Sequence, residues 1–133
     1  MFKLLRIENG RMNVPSPVFH EVTAGVAVEE GMALVLTSGK LAVCGTTTKP
    51  EFIAMGVKTA ADENRKLAVA KCAPNQIYEV PVTAVPTGLK PGDKVTLNGD
   101  GLQVTATATN GVITVEDLNG AAAAGDKIIV RIV

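Results

Sequence analysis

The side chain best suited to acid-base chemistry is the single histidine, His20, which lies between Phe19 and Glu21. General acid-base catalysis usually draws on histidine or on carboxylates held in a cleft, and a Ser-His-Asp constellation could not form without His20. A lone histidine is more typical of a surface or rim position than of a catalytic base. We therefore predict no catalytic residue in this chain.

Two cysteines are the other reactive groups. Cys44 and Cys72 lie far apart in sequence, and neither has a second cysteine or a histidine at metal-ligand spacing. We expect two reduced, half-buried thiols, as is usual for a protein made in the cytosol, with a disulfide as the alternative. No metal site and no cofactor site is expected.

The acidic residues are scattered or fall in turns. Asp93 and Asp126 each follow a glycine and precede a lysine, where an aspartate commonly accepts hydrogen bonds from nearby backbone amides. We favour that structural role over a carboxylate pair for glycoside hydrolysis or metal binding. The glycines form no phosphate-binding loop, and an aromatic content of 3% leaves little to stack on sugars or bases. The sequence predicts a protein that is not an enzyme.

Charge and hydropathy narrow the classes of partner. Lys and Arg number 13, as do Asp and Glu, so no net field concentrates phosphate backbones or anionic lipids near the surface. No apolar run approaches the roughly 20 residues that cross a bilayer, and the N-terminal segment is interrupted by Arg6 and Glu8 before it reaches signal-peptide length. We expect no nucleic-acid partner, no membrane partner and no export signal.

The pattern of apolar residues is typical of β-strands along almost the whole chain. Residues 76–82, 113–116 and 127–133 are short runs rich in β-branched residues, and Gly, Pro or Asn bounds them. Turn sequences at 37–40, 98–101 and 110–111 predict hairpins, and one turn-into-strand pattern recurs at 30–36, 91–97 and 124–130. A chain of 133 residues forms one domain. We predict an all-β fold, a small β-barrel or sandwich with hairpins and little helix.

The first seventeen residues differ from the rest. An apolar stretch is followed by Asn9-Gly10 and then by Pro15-Ser16-Pro17, which resists both helix and central-strand geometry. We interpret residues 1–17 as an extended N-terminal arm and residues 18–133 as a single β domain. An ordinary edge strand followed by a loop is the alternative.

An ordered series of apolar segments and turns occupies the middle of the chain. It consists of Gly31-Met32-Ala33-Leu34-Val35-Leu36, Gly39-Lys40-Leu41-Ala42-Val43, Phe52-Ile53-Ala54-Met55-Gly56-Val57, a polar connector and Leu67-Ala68-Val69. This series resembles the head decoration proteins of tailed phages, and the terminal residues 128–133 look like the ends of some members. The resemblance covers residues 18–82, and the chain departs from the compact members in a longer strand-rich stretch, residues 83–125.

The resemblance implies a β-tulip-like barrel that clusters as a homotrimer on the outer surface of a bacteriophage capsid. The partner would be the major capsid protein, the role would be to stabilise the head, and the protein would reach the virion after synthesis in the host cytoplasm. An arm lying on the shell would place capsid contacts at Phe2, Leu4, Leu5, Ile7, Pro15 and Pro17. The alternatives are another phage structural module, from a tail, fibre base or adhesion domain, and, from a different class, a small ligand-binding barrel or enzyme using His20.

Overall fold

The computed structural model describes residues 1–8, 15–62 and 65–133. Within these ranges ten strands form two five-stranded antiparallel sheets, and no helix occurs. The strands are β1 Lys3–Ile7, β2 Val18–Glu21, β3 Ala33–Thr37, β4 Lys40–Val43, β5 Phe52–Ala54, β6 Lys66–Lys71, β7 Gln76–Pro81, β8 Lys94–Val95, β9 Ile113–Asp117 and β10 Lys127–Arg131. The predicted all-β class is confirmed, and the fold is sandwich-like because neither sheet closes into a barrel.

The first sheet has the strand order β1-β7-β10-β9-β8 and buries one face. In β10 the side chains of Ile128 and Val130 are buried while that of Ile129 is half-buried, as the period of two in a strand requires. Tyr78 and Val80 of β7 are cross-strand partners of these two residues and belong to the same core. This core fills the space between the two sheets.

The second sheet has the strand order β2-β6-β5-β3-β4, and its inner strands β3 and β5 are buried on both faces. Ala33 packs in the core between the sheets, whereas the next residue, Leu34, packs in a second core on the opposite face. The segment after β2 helps to cover this second core with Val22 and Val28. Burial on both faces explains why β3 and β5 read as uninterrupted apolar runs rather than as alternating ones.

A shared turn precedes three strands, as the recurring sequence pattern predicts. Gly31, Gly92 and Gly125 all have positive φ, of 78°, 94° and 88°, and they lead into β3, β8 and β10. Asp93 accepts a hydrogen bond from the Lys90 amide at 2.9 Å, and Asp126 accepts two, from the amides of residues 122 and 123. These bonds lower the pKa of Asp126 and confirm the structural role predicted for both aspartates.

Two of the three predicted hairpin turns join paired segments. Residues 37–40 connect β3 to β4 through Ser38 and Gly39, both at positive φ. Residues 98–101 are flanked by an antiparallel bridge between Leu97 and Val104. The third prediction, at 110–111, is wrong: the flanking segments hydrogen-bond to Val95 and Thr96 rather than to each other. The polar connector forms a turn at Thr59–Asp62, and residues 63–64 lie outside the described ranges.

The N-terminal residues form an edge strand, which corrects the predicted arm. β1 pairs with β7, the amide of Phe2 donates to the Gly31 carbonyl at 2.9 Å, and Phe2 is only 2% exposed. The Phe2 ring meets Tyr78 edge-to-face, with ring centroids 6.2 Å apart. Burying alternate apolar side chains against the sheet is more favourable in free energy than exposing them to solvent on a free arm. Residues 1–8 therefore belong to the domain. Residues 9–14 of the predicted arm lie outside the described ranges.

An ionic cluster fixes the end of β1 to the rest of the first sheet. Arg131 donates from both terminal nitrogens to the two carboxylate oxygens of Glu8, each at 2.8 Å, and from Nε to Glu116 at 2.7 Å. It also donates to the carbonyl of Pro74 at 2.8 Å. The hydrogen bonds from Arg131 hold the pKa of Glu8 below its ordinary value. The first and last strands of the chain are therefore tied together across β7.

Candidate interaction surface

An exposed apolar edge lies at β2, the first strand of the second sheet. β2 pairs with β6 on one side, and among the described residues its other side has a neighbour only beyond its end, where Val22 bridges to Leu41. Val18 and Phe19 are 38% and 58% exposed, and Pro17 just before them is exposed as well. We define the β2 edge as residues 17–21.

The other sheet edges carry features that discourage further pairing. β1 has a bulge between Leu4 and Arg6 and presents exposed lysine and arginine side chains. β8 has only two residues, and the start of β4 is covered by Thr23, whose amide and hydroxyl both donate to the Leu41 carbonyl. Bulges, charges, short strands and covering segments are the usual protections of an edge. The β2 edge is also short and carries Pro17 and Glu21, but it has no bulge and presents the exposed apolar side chains of Val18 and Phe19.

A groove of about 730 Å³ opens beside the β2 edge. Its apolar lining comes from Val18 of β2, Leu36 of β3 and Phe52 of β5, and His20 stands against Phe52 with ring centroids 5.1 Å apart. The other lining residues are Lys49, Pro50, Glu51, Lys71 and Cys72. We call this the His20 groove. It is a wide surface depression with an apolar floor and charged side chains at its rim.

The His20 groove does not gather several acids around the imidazole. Of its lining residues only Glu51 is acidic, and it is exposed together with Lys49 and Lys71. Among the residues that the structure describes, no group of three or more His, Cys, Asp or Glu side chains is placed to hold a metal ion. The contact of His20 with Phe52 gives the imidazole an aromatic neighbour in place of a carboxylate.

The residues predicted to contact a capsid fall into three environments. Phe2 is in the core and offers no surface, because its ring packs on Tyr78. Leu4 and Pro15 are half-buried and line a cavity of about 190 Å³ between β1 and the second sheet, and Ile7 is half-buried in β1. Leu5 and Pro17 are exposed. Of this set, Pro17 adjoins the β2 edge.

The two thiols are unbonded, with Cys44 buried and Cys72 half-buried. Cys44 donates through Sγ to the Thr48 carbonyl at 3.0 Å. Burial raises the pKa of Cys44 to about 11 and that of Cys72 to about 12. Neither sulfur is activated as a nucleophile, because the thiolate is the reactive form.

We expect both thiols to react slowly in the folded protein. At pH 8 the thiolate fraction of each is lower than that of an ordinary cysteine by at least on the order of 100-fold, so labelling with Ellman's reagent should slow at least about tenfold. Titration in guanidinium should then release two thiols per chain, and a Cys44→Ser variant should release one. Rapid labelling of the folded protein, or no thiols in denaturant, would contradict the described environment.

A buried lysine is the feature that sequence reasoning missed. Lys58 is only 2% exposed, and its ammonium donates to the carbonyls of Val26 and Thr59, both at 3.0 Å. A lysine following an exposed valine in a polar connector carries no sequence signal of burial. It joins the end of the β5 region to the segment that covers the second core.

Comparison with known proteins adds no relative. A scan of the chain against protein-family models found no match, and a search of curated protein sequences found none either. In the described ranges there is no helix long and apolar enough to span a membrane. The geometry defines a two-sheet, all-β module with an exposed apolar edge strand and an adjacent groove.

Proposed function

We propose that this chain is a head decoration protein of a tailed phage, which binds the outer capsid surface and stabilises the shell. The segments that resemble this family become β3, β4, β5 and β6, which are neighbouring strands of one sheet with its own core. These four segments therefore lie together in one sheet, whereas β7, at the end of the stretch that the resemblance covers, lies in the other. The proposed partner is the major capsid protein, and the proposed assembly is a homotrimer on the virion.

The observation that carries the proposal is the exposed apolar β2 edge. Burying a phenylalanine side chain contributes about 1.5 to 3 kcal/mol, so Phe19 alone supplies a substantial anchor in an interface. A protein that binds the assembled shell but not free capsid subunits shifts the equilibrium toward the shell by mass action. No covalent chemistry is needed for such a role.

Co-sedimentation with empty shells built from the cognate major capsid protein tests the proposal. We expect the wild-type chain to co-sediment, and a Val18→Ser/Phe19→Ser variant to bind at least about tenfold more weakly, because it loses most of its exposed apolar contact. Val85→Ser, at an exposed valine outside the β2 edge, is the matched control and should bind normally. A Leu5→Ser variant tests separately whether β1 contributes to shell binding.

Four outcomes would count against parts of this assignment. Failure of the wild-type chain to bind shells while it binds purified tails would move it to another structural class. Equal binding by the β2 variant would remove the β2 edge from the interface, and a loss confined to Leu5→Ser would place the contact at β1. A monomeric mass for the shell-free and shell-bound protein would refute the trimer.

A further inference from the structure

The floor and walls of the His20 groove fit one apolar side chain of an extended chain. Phe52 forms a buried floor, while Leu36 and Val18 stand on two sides. The volume of about 730 Å³ exceeds what one side chain fills, so backbone on either side of it is accommodated as well. An open, apolar depression beside a free strand edge is the arrangement that peptide-binding β modules use.

The rim of the groove is biased toward positive charge. Lys49 and Lys71 line it against a single carboxylate, Glu51. In the part of the chain that the structure describes, neither lysine forms an ion pair, whereas Lys40 and Lys127 elsewhere do. The two ammonium groups are therefore available to an anionic ligand, and the apolar floor requires that this ligand also carry hydrophobic groups.

The β2 edge adds a means of fixing the backbone of such a ligand. Successive side chains of a strand point to opposite faces, so Val18 and His20 face the groove while Phe19 points to the other side. A segment paired to β2 would likewise place every second side chain on the groove side. The apolar group over Phe52 and the carboxylates must therefore both lie on the groove side, so an apolar residue with acidic residues two positions before and after it matches this geometry.

We propose that the His20 groove and the β2 edge together bind an extended polypeptide segment of the shell that carries an apolar side chain with acidic side chains two positions before and after it. The segment pairs with β2, inserts an apolar side chain over Phe52 and places carboxylates beside Lys49 and Lys71. This inference rests on the proposed function and names the chemistry of the shell segment that the module recognises.

A direct test uses short peptides with blocked ends. The probe carries one valine with glutamates two positions before and after it and serines between them, and the matched probe has lysines in place of the glutamates. With the acidic probe we expect amide chemical-shift changes at His20, Leu36 and Lys71, and binding that weakens as salt rises above about 0.15 M, because these exposed charges are screened. The basic probe should bind at least about tenfold more weakly.

Charge reversal locates the binding site. Lys49→Glu/Lys71→Glu should weaken the acidic probe at least about tenfold, because two attractions become repulsions. Lys90→Glu/Lys94→Glu, which reverses two exposed lysines at or beside β8, makes the same change in net charge and should have little effect. Equal binding of both probes, an equal loss in both variants, or shifts confined to other surfaces would overturn the proposal.

The two proposals fail separately. If Lys49→Glu/Lys71→Glu still co-sediments with shells as wild type does, the groove does not recognise the shell, yet the decoration role stands. If wild type binds the acidic probe but no shells, the groove is a peptide site and the decoration role fails. Concentration-dependent dimerisation that the acidic probe abolishes would assign the groove to a second copy and overturn the shell segment as its occupant.

Discussion

Replacement of Gly31 by valine is expected to destabilise the protein by about 3 kcal/mol or more. Gly31 has a φ of 78°, a conformation that is costly for a β-branched residue. A Cβ atom at this position would lie 2.6 Å from Cβ of Met1 and 2.9 Å from the carbonyl oxygen of Phe2. The substitution therefore adds a steric conflict with the start of β1 to the backbone strain.

Gly25 provides the matched control for this prediction. Its φ is 77°, but nothing lies within 4 Å of an added Cβ, so Gly25→Val reports the backbone strain alone. We expect Gly25→Val to cost about 1 to 2 kcal/mol in urea unfolding and Gly31→Val clearly more. Amide hydrogen exchange in β1 should accelerate only in Gly31→Val. Equal losses in both variants would contradict the packing of the first residues against Gly31.

Local features of the fold are encoded in short stretches of sequence. The β-branched runs became β7, β9 and β10, and the glycine-aspartate turns at 92–93 and 125–126 open strands as predicted. These features depend on neighbours within a few residues, since strand periodicity and turn hydrogen bonds are local. Sequence patterns therefore predicted element type well.

The assignment of strands to sheets depends on distant pairings that periodicity does not specify. β6 and β7 follow each other closely, yet they lie in different sheets, and β7 instead pairs with both β1 and β10. β1 joins the sheet through pairs such as Lys3 with Glu79, which are separated by most of the domain. An apolar N-terminal stretch fits a free arm as well as an edge strand, because both place alternate apolar residues on a surface.

In the candidate site, too, the features set by neighbouring residues were predictable from the sequence, and those that depend on distant segments were not. Sequence reasoning predicted a surface or rim position for His20, and the structure places it half-buried in the wall of a groove. Sequence could not show that Phe52, Lys49 and Lys71 from other segments gather beside it, since four separate strands and the residues between them form the groove. The exposed Val18 and Phe19 also gave no local sign that their strand would be an edge.

Replacement of Lys58 by alanine is expected to cost about 3 kcal/mol, although a lysine-to-alanine change at the surface is usually within about 0.5 kcal/mol. The ammonium is the donor to two carbonyls, those of Val26 and Thr59, and its loss removes both hydrogen bonds from a part-buried site. Loss of the aliphatic stem adds a cavity beside the second core. Urea unfolding followed by far-ultraviolet circular dichroism measures the change.

Two further variants separate the causes of this loss. Lys58→Met keeps most of the side-chain volume but donates no hydrogen bond, so we expect it to recover the packing contribution and retain a cost of about 1 to 3 kcal/mol. Lys90→Ala, at an exposed lysine, is the control for loss of charge. If the Lys58→Ala variant is as stable as the Lys90→Ala variant, the ammonium does not join the two segments.

Because the segment containing Val26 and Val28 packs against the core that includes Phe52, Lys58→Met should also weaken peptide binding in the His20 groove without altering any residue that lines it.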